Sequence, residues 1–247
     1  MLIMNKLING VIPVLLMMTA YSCAKTDNYA APNATFQGNL IDSVTGQNLL
    51  TETGGASLMM KQLSWSSTPD PYYLPTKPDG SFEDTRIFSG QYSVLPTQGA
   101  FWPTDSIVTT ISGATSVNFT VVPYLEITHF TDTLNADSLV MTCQLTAPRT
   151  DGLPEILEIW PFVNSTPYVG SGAFITNFTI SDQSNGSYNL APINSSWSAA
   201  IAATTYRLVV HGLLPGRTYY ARLGVRVNDS YKKYNFSDVI SVTTATH

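Results

Sequence analysis

Apolar and polar residues alternate along most of this chain with the two-residue period of a β-strand. Leu139, Met141, Cys143 and Leu145 share one face, with Thr142 and Gln144 opposite. Ala221, Leu223 and Val225 repeat the pattern, and Arg222 and Arg226 fall on its outward positions. Residues 35–42, 56–63, 91–95, 117–122, 155–160 and 238–243 read as further strands, with Trp160 assigned to the core. Turn chemistry separates them. In Lys77-Pro78-Asp79-Gly80-Ser81-Phe82 the proline presets φ, the aspartate caps the turn, and Gly80 accepts a positive φ. The pattern predicts an all-β chain.

The first residues follow a different rule. Lys6 precedes an apolar run over residues 7–20, then come Tyr21, Ser22 and Cys23. A positive start, an apolar stretch and a small residue before the cut make a secretory signal. The run is shorter than the roughly 20 residues a spanning helix needs. A cysteine directly after the cut predicts a bacterial lipoprotein signal over residues 1–22, with Cys23 as the lipid attachment site. A thiolate is readily alkylated by a diacylglyceryl group, and two or more acyl chains anchor stably at about 0.8 kcal/mol per buried CH₂. Ala20 and Tyr21 depart from the usual residues before the cut. Residues 23–33 read as a tether. The expected location is the outer membrane at the cell surface, with the periplasmic face left open.

Composition narrows the rest. Charged residues make up 12% of the chain, against about 25% in ordinary soluble domains. Ser, Thr and Asn supply the polar surface. A net charge of −5 without a basic patch excludes a nucleic-acid partner. There are two cysteines. With Cys23 lipidated, Cys143 has no partner and reads as a buried core thiol. His129, His211 and His247 have no metal-ligand spacing, His129 reading as an ordinary strand residue and His211 as the end of one. Gly170-Ser171-Gly172 reads as a flexible turn rather than a nucleophile elbow. No cofactor and no enzymatic activity are expected.

The segments Gly38-Asn39-Leu40-Ile41-Asp42, Pro78-Asp79-Gly80-Ser81-Phe82 and Gly90-Gln91-Tyr92-Ser93-Val94 resemble the carboxypeptidase-regulatory, transthyretin-like β-sandwich. That resemblance covers residues 34–123. Leu213, Pro215 and Tyr219, leading into Ala221, Leu223 and Val225, resemble the entry to strand F of a fibronectin type III or immunoglobulin-like sandwich over residues 124–247. Tyr219 would be its corner tyrosine, its hydroxyl bonded to nearby backbone. The whole arrangement resembles a Bacteroidota outer-membrane lipoprotein family of unassigned activity, associated with starch-utilisation-type systems. The resemblance implies a lipid anchor and possible contact with such a transporter complex.

Aromatic residues in loops are the remaining candidates. Trp65, Tyr72 and Tyr73 lie in a Pro- and Ser-rich stretch, Phe101 and Trp102 precede Pro103, and Trp197 lies among serines. A flat apolar ring with polar neighbours suits the C–H face of a sugar. The same rings could instead close the ends of each sandwich against its core. The expectation is a non-catalytic accessory in glycan capture or uptake at the outer membrane. The alternative is a structural, protein-interaction subunit of an outer-membrane complex without its own glycan affinity.

Overall fold

The computed structural model describes residues 30–184 and 193–246. The signal segment, Cys23 and the start of the tether lie outside the described residues. Eight strands form the first sandwich: β1 (Ala34–Asp42), β2 (Ser57–Gln62), β3 (Tyr72–Pro75), β4 (Ser81–Ile87), β5 (Gly90–Thr97), β6 (Ile107–Ile111), β7 (Ala114–Ser116) and β8 (Phe119–Val121). One sheet has β1 between antiparallel β4 and the short parallel strands β7 and β8, which follow one another along its other edge. The facing sheet runs β3-β2-β5-β6. Alternation sends Phe36, Leu40 and Phe82 inward from one sheet and Leu58, Met60, Tyr92 and Val94 from the other. Gly80 takes the expected positive φ of +75°, and a Cβ there would lie 2.3 Å from the Leu49 carbonyl oxygen. The turn therefore demands glycine on both counts.

The second sandwich comprises β9 (Glu126–Asn135), β10 (Ser138–Thr146), β11 (Ile156–Asn164), β12 (Thr179–Asp182), the short helix α1 (Ala199–Ala203), β13 (Tyr206–His211), β14 (Thr218–Val227), β15 (Tyr234–Phe236) and β16 (Ile240–Thr243). Its sheets run β12-β13-β10-β9 and β11-β14, with β15 and β16 both on β14. This is the four-against-three strand order of an immunoglobulin constant-type sandwich, its last strand split in two. Leu139, Met141, Cys143 and Leu145 all point into the core. Burial raises the Cys143 thiol to about 12. Tyr219 makes the corner: its hydroxyl accepts from the Leu214 N–H at 3.1 Å.

Two sequence expectations need correction, and a third is met with an added feature. His129 is not a regular strand residue; it is exposed at φ +51°, in the stretch where β9 slips register against β10. Trp160 is not in the sandwich core. It is half-buried on the outer face of β11, beside an aromatic cluster of Phe162, Tyr234 and Phe236. Arg222 does point away from its own core, yet only 2% of it is exposed. Its Nη1 donates to the Thr51 carbonyl at 2.7 Å, and its guanidinium lies 3.6 Å from the Phe236 ring centre. Burial lowers its pKa to about 10, opposed by the charge of Glu52. The first sandwich covers this face.

Further bonds fasten that covering. Asn235, itself buried, donates to the Ala100 carbonyl at 2.8 Å and accepts from the Leu125 N–H at 3.2 Å. Lys233 donates to the Gly54 carbonyl at 3.3 Å.

Candidate functional site

Three of the exposed rings converge on the open side of the first sandwich. β3 and β4 are edge strands of opposite sheets, and here the two edges meet. Tyr72 stands opposite Met60 on β2, and its hydroxyl crosses to Asp84 of β4 at 3.0 Å. Burial and this aspartate raise the Tyr72 pKa. The β2–β3 loop carries Trp65. It is fixed near its start by the Leu63 N–H donating to the Gln91 carbonyl at 2.8 Å, and by the Gln91 N–H donating to Ser64 Oγ at 3.3 Å. Gly90 permits this contact, because a Cβ there would lie 2.2 Å from Ser64 Oγ. Phe88 sits where the chain leaves β4 for the other sheet. The buried Tyr92 holds it by donating to the Phe88 carbonyl at 2.8 Å.

The result is a groove of about 550 Å³. Buried Met60, Ile87 and Tyr92 form its floor, and Asp70, Asp84 and Arg86 supply polar groups at its rim. Its walls are Trp65, Tyr72 and Phe88, at 62%, 47% and 39% exposed. Three large rings left in water around a concave surface are costly unless something covers them. The volume falls in the ordinary range for small-molecule sites, about 300–1,000 Å³. Arg86 beside two carboxylates gives hydroxyl groups both donors and acceptors. Phe88 was missed in the sequence. Its place in the groove depends on the β4-to-β5 crossover, which no local pattern marks.

The other sequence candidates lie elsewhere. Tyr73 is on the opposite face of β3, its hydroxyl 3.6 Å from Met59 Sδ. Phe101 is 4% exposed within the first core and presents no ring face to a ligand. Trp102 packs between Tyr124, at 5.2 Å between ring centres, and the Arg149 guanidinium, 4.4 Å above its ring. Trp197 rests on the second core. These three rings pack against the two cores and are not gathered at the groove. His211 is tied by both ring nitrogens, to Ser138 Oγ at 3.1 Å and Ser181 Oγ at 3.0 Å. Among the described residues, no group of three or more His, Cys, Asp and Glu is placed to hold a metal ion.

A second concavity, of about 590 Å³, lies where the sandwiches join and contains Asp42 and Glu126. Asp42 is buried and accepts from the Val44 N–H at 2.7 Å and Thr45 Oγ1 at 2.9 Å. Burial first, then the neighbouring Asp42, pushes Glu126 up to about 8. Both effects favour the protonated form of Glu126, which can share its proton with Asp42.

Two tandem β-sandwiches with an aromatic groove on the first define the class of this protein. The chain belongs to the DUF3823 family. Residues 34–122 match the N-terminal domain of this protein family of unknown function, and residues 125–241 match its C-terminal domain of unknown function. Solved structures share the fold. A candidate carbohydrate-binding protein from Bacteroides uniformis superposes with a TM-score of 0.69 at 19% identity, covering 86% of this chain and 99% of its own. A DUF3823 protein from the same species gives 0.69 at 22% identity, covering 86% and 100%. One from Parabacteroides merdae gives 0.65 at 18%, covering 87% and 100%. Among curated proteins, none is similar to this chain.

Proposed function

We propose that this protein is a non-catalytic glycan-binding accessory of the cell envelope. It is held to the outer membrane through a lipid on Cys23, and it captures or presents glycan for an adjacent starch-utilisation-type transporter. The observation that carries the binding role is the convergence of Trp65, Tyr72 and Phe88, all well exposed, over one groove with Asp70, Asp84 and Arg86 at its rim. Rings held on anchored backbone lose little freedom when a sugar stacks on them. The description of the Bacteroides uniformis structure as a candidate carbohydrate binder agrees with this reading. The anchor is supported by Lys6, the apolar run and Cys23. Among the described residues, no helix is long and apolar enough to cross a membrane.

A thermal-shift screen of the exported chain in mild detergent, against plant, host and microbial glycans, tests the binding role. A ligand at tenfold its Kd adds about 1.4 kcal/mol. That amounts to roughly 3–6 °C for a protein of this size. A shift with one glycan class supports the reading, and no shift across the panel sinks it. The interaction-subunit reading would then lead, favoured by Ile107 and Val108, exposed on the edge strand β6 at 40% and 58%. Labelling with a radioactive fatty acid, lost in Cys23→Ser, tests the anchor separately.

A further inference from the structure

The outer face of β11 and β14 borders a cleft of about 470 Å³ that the first sandwich helps to enclose. Trp160 and Phe174, both half-buried, give it an apolar wall. Two carboxylates line it, and both are already engaged. Glu158 pairs with Arg226 at 2.8 Å and accepts the Tyr234 hydroxyl. Glu52 accepts from Ser171 Oγ at 2.6 Å and from the Gly172 N–H at 3.2 Å, and its charge acts on Arg222. The cations are in excess. Lys232 and Lys233 line the cleft with Arg226, so three cations face two committed acids, and Lys233 also donates to the Gly54 carbonyl.

Hydrogen-bond donors are also in excess. Trp160 Nε1 and Arg226 Nε, both on lining residues, are buried without an acceptor among the described residues. Unpaired buried donors are uncommon in a folded protein. Lys232 adds backbone strain: it is exposed at φ +50°, with its N–H and that of Tyr231 both donating to the Asp229 carboxylate. A lysine held in the left-handed region needs its surroundings to impose it, and such residues cluster at ligand sites.

We infer that this cleft is a second binding site, specific for a carboxylate-bearing sugar of the uronic acid class. The sugar ring lies against Trp160, and its carboxylate is drawn to Lys232 and Lys233. A neutral sugar would satisfy the ring wall and leave the positive rim unanswered. The site is independent of the groove at Trp65, because the two share no lining residue.

Calorimetric titration of the exported chain tests this. The probes are trigalacturonate, a glucuronic acid trisaccharide, and the methyl ester of trigalacturonate, which keeps the sugar and removes the charge. At least one free acid should bind, and the ester should bind at least tenfold more weakly than trigalacturonate if that acid is the ligand. Lys232→Glu changes an exposed residue and should weaken the acid at least tenfold with an unchanged melting temperature. Trp160→Ala should weaken it further, and Trp65→Ala should leave it unaltered. Absence of binding by both acids at millimolar concentration would overturn the site. So would equal binding of acid and ester, or an affinity that falls in Trp65→Ala but not in Lys232→Glu.

Discussion

The groove on the first sandwich and the cleft between the sandwiches are of similar size, yet their walls are held in different ways. Trp65, Tyr72 and Phe88 stand on a loop, an edge strand and a crossover, and the Tyr72 hydroxyl donates across the two sheets to Asp84. The cleft's Glu52 acts by its charge on Arg222, whose one guanidinium serves Thr51 of the first sandwich and Phe236 of the second. The groove's rings are largely in solvent, Trp65 at 62% exposed, so removing one uncovers little of the core. The cleft is built mostly by the second sandwich, and docking of the first adds Glu52 to it.

That contrast is sharpest at Arg222. Arg222→Ala removes a charge-assisted hydrogen bond and a stacked cation, and leaves Glu52 without its compensating charge. The expected loss is about 3 kcal/mol, or roughly 6–12 °C in melting temperature. Trp65→Ala should change stability by no more than about 0.5 kcal/mol, as surface substitutions do. Equal losses at the two positions would erase the distinction.

The junction should also respond to pH. Glu126 has its folded pKa raised from 4.5 to about 8, so the folded state holds a proton that the unfolded state releases in that window. Stability from this group is complete below about pH 4.5, declines as pH rises toward 8, and is fully lost above it. Glu126→Gln should flatten the decline and raise the melting temperature at pH 8.5 relative to the parent. An unchanged pH profile would remove Glu126 as its source.

Smaller effects belong to the second sandwich alone. Tyr219→Phe leaves the Leu214 N–H without its acceptor and should reduce stability by about 1 kcal/mol, read by urea denaturation. Cys143, 1% exposed and with its thiol raised to about 12, should resist thiol reagents until the protein is unfolded. Rapid labelling of the native protein would place Cys143 outside the core.

The sequence made the strands and the turns legible because their determinants are local. Two-residue alternation placed Cys143 in a core, Pro-Asp-Gly placed a turn at Gly80, and the Leu-x-Pro-x-x-x-Tyr spacing placed the corner at Tyr219. Groove residues Trp65 and Tyr72 could be singled out because they are close neighbours in a Pro- and Ser-rich loop. Phe101, Trp102 and Trp197 looked similar in sequence, and only packing separates them from the groove. The cleft left no trace in the sequence. Trp160, Arg226 and Lys232 are far apart in sequence and meet only when the second sandwich folds, and docking adds Glu52 from the first. Alternation correctly sent Arg222 outward, but it contains no information about a second domain covering that face.

The measurement that bears most directly on the glycan-binding account compares two adjacent tyrosines on opposite faces of β3. Tyr72 faces the groove and Tyr73 does not, although their exposures are nearly equal, 47% and 43%. Titration of the glycan found by thermal shift into the parent chain, Tyr72→Ala and Tyr73→Ala is the decisive comparison. The account predicts at least a tenfold loss of affinity in Tyr72→Ala and an unchanged affinity in Tyr73→Ala. Equal affinities in all three proteins, or a loss confined to Tyr73→Ala, would contradict it.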